Sequence, residues 1–287
     1  MIYRRRATPL HSARAAAGCA YCLALGVAAL MLANPVALAA VTLSVVLAAL
    51  AAGTGHQLRR AAGMALAVGV AVAAVNALVD RDGLTVIMRL GDLPVLGQTD
   101  VTLEATVYGA ILGLRAATLI LCGTLYTCAV DPDEVLRLFR RISFGSALSA
   151  TLATRMVPIL VRDGRRLADA QRCRPGRPPS RLTLMRAVSS GVLDRALDVA
   201  AALEVRGYGA GHRPSPRRAP WSRHDAAFLS AAIVMVALAV AARAWALAPF
   251  TAYPALHAPA GPGVLAVAAA LVAAALAPFA DRRGLRQ

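Results

Sequence analysis

Apolar residues gather into six blocks, separated by intervals that differ sharply in length and polarity. The blocks are Ala15–Ala33, Val36–Ala52, Ala61–Val79, Ala105–Cys128, Ala226–Ala248 and Val264–Ala280. Each approaches the ~20 residues a helix needs to cross a hydrocarbon core. Asn34-Pro35 reads as a tight turn, 53–60 as a short basic loop, and 80–104 as a longer loop with more acidic than basic residues. Ile142–Val161 is also apolar, but inserting Arg155 near its middle would cost ~2.5–3.5 kcal/mol. The pattern predicts an all-α, polytopic membrane helix bundle of about six spans. It divides the chain into a four-span bundle (1–130), an interfacial, amphipathic interval (131–224) and a two-span hairpin (225–287).

Within the polar interval the period changes from continuous to helical. Asp131-Pro132-Asp133-Glu134 is a helix start, with a capping aspartate, proline at the first helical position and Glu134 where a capping-box partner sits. A second helix is predicted from about Ser146 to Arg174, with Leu148, Leu152, Met156 and Ile159 on one face and Pro158 inside it. The run from Pro175 to Pro179 ends that helix. A third begins near Ser180 and carries the stripe Met185, Val188, Val192, Ala196, Val199 and Leu203. Gly207 follows its last turn, where glycine tolerates the left-handed conformation. Arg174 and Arg206 thus stand at two helix ends, where a cation is favoured by the helix dipole and a planar guanidinium offers several donors to a partner.

Charge orients this pattern. The formal net charge is +16, which in a soluble protein would suggest nucleic acid. With both termini inside, however, 27 of the 31 arginines fall in cytoplasmic segments, 18 of them in 131–224, so the charge is accounted for by the positive-inside rule. Treating 142–161 as a span would place the 14 arginines from Arg162 to Arg223 outside; it is therefore predicted to lie at the inner surface. Arg4-Arg5-Arg6 followed by an apolar run imitates a secretory signal, but the apolar character continues past Ala39 to Ala52.

Composition then removes chemistry. The basic residues are all arginine, so the chain has neither a P-loop lysine for nucleotide phosphates nor a Schiff-base lysine. Any ATP-driven step must be carried out by another polypeptide. Cys19-x-x-Cys22 has no second Cys/His pair beside it, and such cysteines in apolar blocks behave as small buried hydrophobes. Arg115, inside the fourth span, is a costly intramembrane charge that needs a partner, and Asn76 is a candidate. Gly109-xxx-Gly113 allows close helix approach. A membrane enzyme is disfavoured because Asp131, Asp133, Glu134, Asp163 and Asp169 lack the clustering a site needs. A basic scaffold for anionic lipid would use the same arginines, but it leaves two matched helix ends unexplained.

Four runs in order carry a resemblance: Asp131-Pro-Asp-Glu-Val-Leu, Ala153-Thr-Arg155-Met-Val-Pro158, Ala170-Gln171-Arg172-Cys173-Arg174, and Leu203-Glu204-Val205-Arg206-Gly207-Tyr208-Gly209. With them the chain, over roughly 8–283, resembles the transmembrane T component of energy-coupling factor (ECF) transporters. The resemblance implies two Ala-Arg-Gly/Ser-like motifs at the ends of coupling helices, here Cys173-Arg174-Pro175 and Val205-Arg206-Gly207. Gln171, Arg172, Glu204 and Tyr208 would support them. Both triplets keep the arginine; Cys173 and Val205 replace alanine, and Pro175, which donates no N–H, replaces glycine or serine. The resemblance further implies a non-catalytic subunit of an importer in a bacterial cytoplasmic membrane. Its partners would be two ATPases holding ATP and Mg²⁺ and a small substrate-binding membrane subunit. The cargo would be a vitamin or a transition-metal ion, and no metal, cofactor or nucleic acid would be bound by this chain.

Overall fold

The computed structural model describes residues 6–80, 85–93, 97–139, 144–173, 181–207, 221–252, 257, 259 and 261–281. In order, the elements are α1 (Pro9–Ser12), α2 (Ala15–Met31), α3 (Pro35–Ala51), α4 (Gly55–Val79), β1 (Val86–Leu93), β2 (Gly97–Thr102), α5 (Leu103–Ala129), α6 (Pro132–Phe139), α7 (Phe144–Arg172), α8 (Arg181–Val205), α9 (Arg223–Ala244) and α10 (Pro262–Ala280). Among the described residues, four helices, α4, α5, α9 and α10, are long and apolar enough to cross a membrane. The apolar helices α2 and α3, at 17 residues each, sit at the short end of the spanning range. The chain is a polytopic helical membrane protein.

The chain forms two compact units. One comprises residues 1–135 and 221–287, so the N-terminal and C-terminal apolar helices share a core; the other comprises 136–220. In the first, α2 packs on α9, α3 on α10 and α4 on α5. Tyr21, Phe228 and Phe279 meet edge to face, with centroids 5.2–6.2 Å apart, and the Tyr21 hydroxyl donates to the Ala275 carbonyl of α10 (2.8 Å). Aromatic rings in this geometry gain from their quadrupoles beyond simple burial.

The α4–α5 pair is built differently, from glycines. A Cβ added at Gly109 would lie 2.7 Å from the Ala73 carbonyl oxygen, and one at Gly69 2.9 Å from that of Gly113. The small-residue spacing expected in α5 is thus a backbone-on-backbone contact with α4. Side chains point outward from this seam: Met64, Leu66, Val70, Val75 and Val79 of α4 are all more than half exposed.

Polar residues do their work at the ends of these helices. Asn34, fully buried, caps α3 by accepting from Val36 N–H (3.0 Å) and donates its amide to the carbonyls of Pro249 and Pro259. Asn34-Pro35 is accordingly a cap with proline in the first helical turn. Gly53 closes α3 at φ 71°, and α4 begins at once. Residues 55–60, expected as loop, are its first turns, because exposed Arg59 and Arg60 can sit on a helix surface.

Two departures from the sequence reading concern the 80–104 stretch and the end of α9. The stretch, expected as a loop, holds an antiparallel hairpin, with Val86 opposite Thr102 and Leu93 opposite Gly97. Glu104 fastens it, accepting from Thr85 N–H (3.2 Å) and Oγ1 (2.9 Å). α9, expected to run to Ala248, stops at Ala244, and Ala246 in the turn after it sits at φ 47°, a conformation that costs a non-glycine residue ~1–2 kcal/mol.

Two outcomes follow for thermal unfolding in detergent. Gly113→Leu should destabilise by ~1–3 kcal/mol, because the α4 backbone must retreat. Gly123→Ala, where nothing lies within 4 Å, should stabilise by ~0.5–1 kcal/mol. Separately, Ala246→Gly should raise stability by up to ~1 kcal/mol as the left-handed strain is relieved; an unchanged or lower midpoint would refute that account of the turn.

Candidate functional site

The unit of residues 136–220 is built on two long helices, α7 and α8, that pack on each other. The contact face of α7 carries Leu152, Met156, Ile159, Asp163, Leu167 and Gln171, and that of α8 carries Val188, Val192, Arg195, Val199 and Leu203. These are steps of three and four on both helices, the period of one helical face. Leu148 lies among residues whose side chains are outside the description. The α8 stripe is rotated from the expected one: Met185 and Ala196 turn outward, and Arg195 takes a place in the seam.

Arg195 is there for a reason. Its Nη1 donates to Asp163 Oδ2 at 2.7 Å, joining α8 to α7 through their polar flank. The Arg195 hydrogen bond, with the positive charge of Arg195, Arg166 and Arg162 around it, holds the Asp163 carboxyl below its ordinary range. A depressed carboxylate contributes stability above its unfolded value, and that contribution disappears as pH falls through the lower folded value.

The two helix ends named by sequence differ in what can be described. Arg174 and Pro175 lie outside the described residues, so the first triplet is represented by Cys173, exposed, whose N–H donates to the Asp169 carbonyl (3.3 Å). Beside it Arg172 pairs with Asp169 on the surface (3.5 Å). Gln171 is half-buried on the α7–α8 side.

The second end is complete up to Gly207. Arg206 N–H donates to the Ala202 carbonyl (3.2 Å), and Gly207, at φ 73°, donates to Glu204 (2.8 Å). Glycine in the left-handed region one residue past the helix, bonded back to the second-last turn position, is a C-terminal stop that few other residues adopt. It leaves Val205 at 89% exposure, with Arg206 and Glu204 also exposed. Tyr208 lies outside the described residues. A hydrophobic side chain and a guanidinium therefore stand together on solvent at a fixed helix end.

Arg115 is placed elsewhere, within the apolar bundle. Its Nη2 donates to the carbonyl of Leu32, the residue that ends α2 (3.0 Å), while its buried Nε has no hydrogen-bond partner among the described residues. The arginine thus satisfies a carbonyl left over at a helix end, where a cation is favoured. Asn76 packs instead against Gly109. The cysteines Cys19, Cys22, Cys122, Cys128 and Cys173 are unbridged, and no cluster of three metal-ligating side chains occurs among the described residues.

Sequence reasoning missed the contacts made at the start of α2. The Arg14 N–H donates to Asp225 Oδ1 (2.7 Å) and its Nε pairs with Asp225 Oδ2 (3.3 Å). The next N–H, of Ala15, donates to Glu134 Oε2 (3.1 Å). Glu134 was expected to close a capping box within its own helix. It instead caps α2, and Asp131 alone accepts from the α6 start, at Asp133 N–H (2.9 Å).

The apolar helices define an integral membrane protein, and the arginine-rich α7–α8 pair forms a unit of its own. The chain belongs to the cobalt transport protein family (CbiQ), which it matches over residues 6–216. It is therefore a component of membrane transport. No curated protein matches it.

The Asp163–Arg195 pair can be checked by a double-mutant cycle with Asp163→Asn and Arg195→Gln, read as the thermal midpoint of the full chain. Coupling should be present at pH 7 and vanish as the medium is acidified below the ordinary carboxylate range. Coupling that persists in acid, or is absent at pH 7, would mean that the pair does not hold α7 to α8.

Proposed function

We propose that the chain is the energy-coupling membrane subunit of an ECF-type importer, with α7 and α8 as the levers on which partner ATPases act. The observation that carries this is the end of α8. Gly207 at φ 73° holds Val205 and Arg206 out in solvent, in a member of a transport family whose own sequence contains no lysine.

The physical logic runs from composition to mechanics. Without a phosphate-binding lysine, ATP chemistry has to be borrowed, so ATP and Mg²⁺ belong to two cytoplasmic ATPase subunits. A guanidinium fixed at a helix terminus offers a planar fork of donors to carboxylates or carbonyls in a groove. Cys173-Arg174-Pro175, which follows α7 in the sequence, is the second such contact in this reading, with Gln171 and Arg172 preceding it; Glu204 and Tyr208 flank Val205-Arg206-Gly207. Tying α7 to α8 through Asp163 and Arg195 lets a push at either end move both helices.

The outer face of α8 supports a further partner. Leu182, Met185, Leu193 and Leu197 are each more than 60% exposed, and an apolar stripe of that kind calls for cover. A small substrate-binding membrane subunit supplies that cover in this reading, and selectivity for a transition-metal ion or vitamin resides there. The family description favours cobalt. The arginine distribution puts both termini and α7–α8 on the cytoplasmic side of a bacterial inner membrane.

The test is copurification of the tagged chain with its ATPases, followed by reconstituted uptake. Arg206→Glu should cut ATPase recovery or uptake at least ~10-fold, the scale of losing a charge-assisted contact. Gly207→Val should act in the same direction, since the left-handed position costs valine ~1–2 kcal/mol or more. Normal assembly and normal uptake in Arg206→Glu would overturn the coupling role of this helix end.

A further inference from the structure

The polypeptide leaves the apolar unit after Val135 and returns to it at Trp221. Both crossings are tied to one turn of backbone. On the outgoing side, Glu134 accepts from the Ala15 N–H at 3.1 Å. On the returning side, Asp225 accepts from the Arg14 N–H at 2.7 Å and pairs with Arg14 Nε at 3.3 Å. Trp221, the first residue back, lies under the Arg14 guanidinium at 5.6 Å from ring centroid to Cζ.

These contacts are built into the fold. Asp225 is 1% exposed, and its second oxygen also accepts from Ser222 N–H (2.9 Å), while Ser222 Oγ accepts from Asp225 N–H (3.1 Å). The carboxylate thus caps α9 and grips the start of α2 at once. Charge-assisted bonds to a buried carboxylate are among the stronger ones a protein makes. Two carboxylates from distant parts of the chain fill adjacent N–H groups at the start of α2, where negative charge is favoured.

We infer that the Arg14–Ala15 turn is the common anchor of the two points at which the chain leaves and re-enters the apolar unit, and that coupling in the importer reading is transmitted through it. Arg14, Glu134 and Asp225 are positioning residues in this scheme. It rests on the coupling role proposed above for its functional consequence, but the shared anchorage stands on geometry alone. Two chain segments held at one point transmit a pull; two held at separate points would let the bundle absorb it by local shifts.

The experiment uses the full chain in nanodiscs for amide hydrogen exchange, and the complex with its ATPases for transport. Glu134→Ala should raise exchange about tenfold, as one charge-assisted hydrogen bond implies, at Arg14–Ala17 and also at Ser222–Ala226. Arg14→Ala should do so at Ser222–Ala226 and at the start of α6. Change confined to the substituted crossing would overturn the common anchor. In the assembled complex, Arg14→Ala should keep ATPase recovery and hydrolysis while uptake per ATP falls, and Arg14→Lys should restore part of it. Unaltered uptake per ATP in Arg14→Ala would overturn the transmission role. If the native chain recovers no ATPase, the coupling reading fails, and the exchange result alone decides the anchor.

Discussion

Inside hydrocarbon no water satisfies a backbone N–H or C=O, so a spanning helix pairs its interior groups and leaves its ends to be dealt with. Much of the polar chemistry in this protein is a response to that constraint. Asn34 closes the start of α3 and reaches two carbonyls of the 249–259 connection. Glu134 and Asp225 fill the first N–H groups of α2, and Arg115 takes the carbonyl where α2 stops. Gly207 closes α8 by backbone geometry alone. Residues that look like isolated charges in the sequence become, one by one, the partners of helix ends.

The same constraint separates the two units in kind. In the bundle, contact is made by small residues and rings: glycine carbonyls between α4 and α5, and three aromatic edges among α2, α9 and α10. The α7–α8 pair uses a narrower apolar seam and a surface ion pair, and leaves large side chains exposed on both flanks, Val157 and Val161 on one helix and Leu193 and Leu197 on the other. A module so sparsely covered is suited to having partners.

Local pattern made the helices legible and their ends only partly so. Six apolar blocks gave six helices because continuous apolarity at that length has few alternatives. Gly207 was visible because such a stop is written within a few residues, whereas Asn34 read as a turn and is a cap that also reaches the distant carbonyls of Pro249 and Pro259. The hairpin at 86–102 was not, since register shifts between Val86 and Met88 and between Arg89 and Asp92 break any clean alternation. Glu134 was assigned to its own helix because the bond it makes reaches 119 residues away. Arg115 carries no sequence cue to its acceptor, which is a backbone carbonyl and could belong to any residue. Arg195 entered an apolar stripe because Asp163 waits across the seam, a pairing visible only once two helices are placed side by side.

The bond between Arg14 and Asp225 spans 211 positions, which gives it a meaning in time as well as in space. A chain is made from its N-terminus, so the opening turn of α2 lacks Asp225 until α9 has begun. Before that, Glu134, made after α5, is the carboxylate available to this turn. The late arrival of a single aspartate joins α2 to α9, so this contact waits for every helix between them to be made.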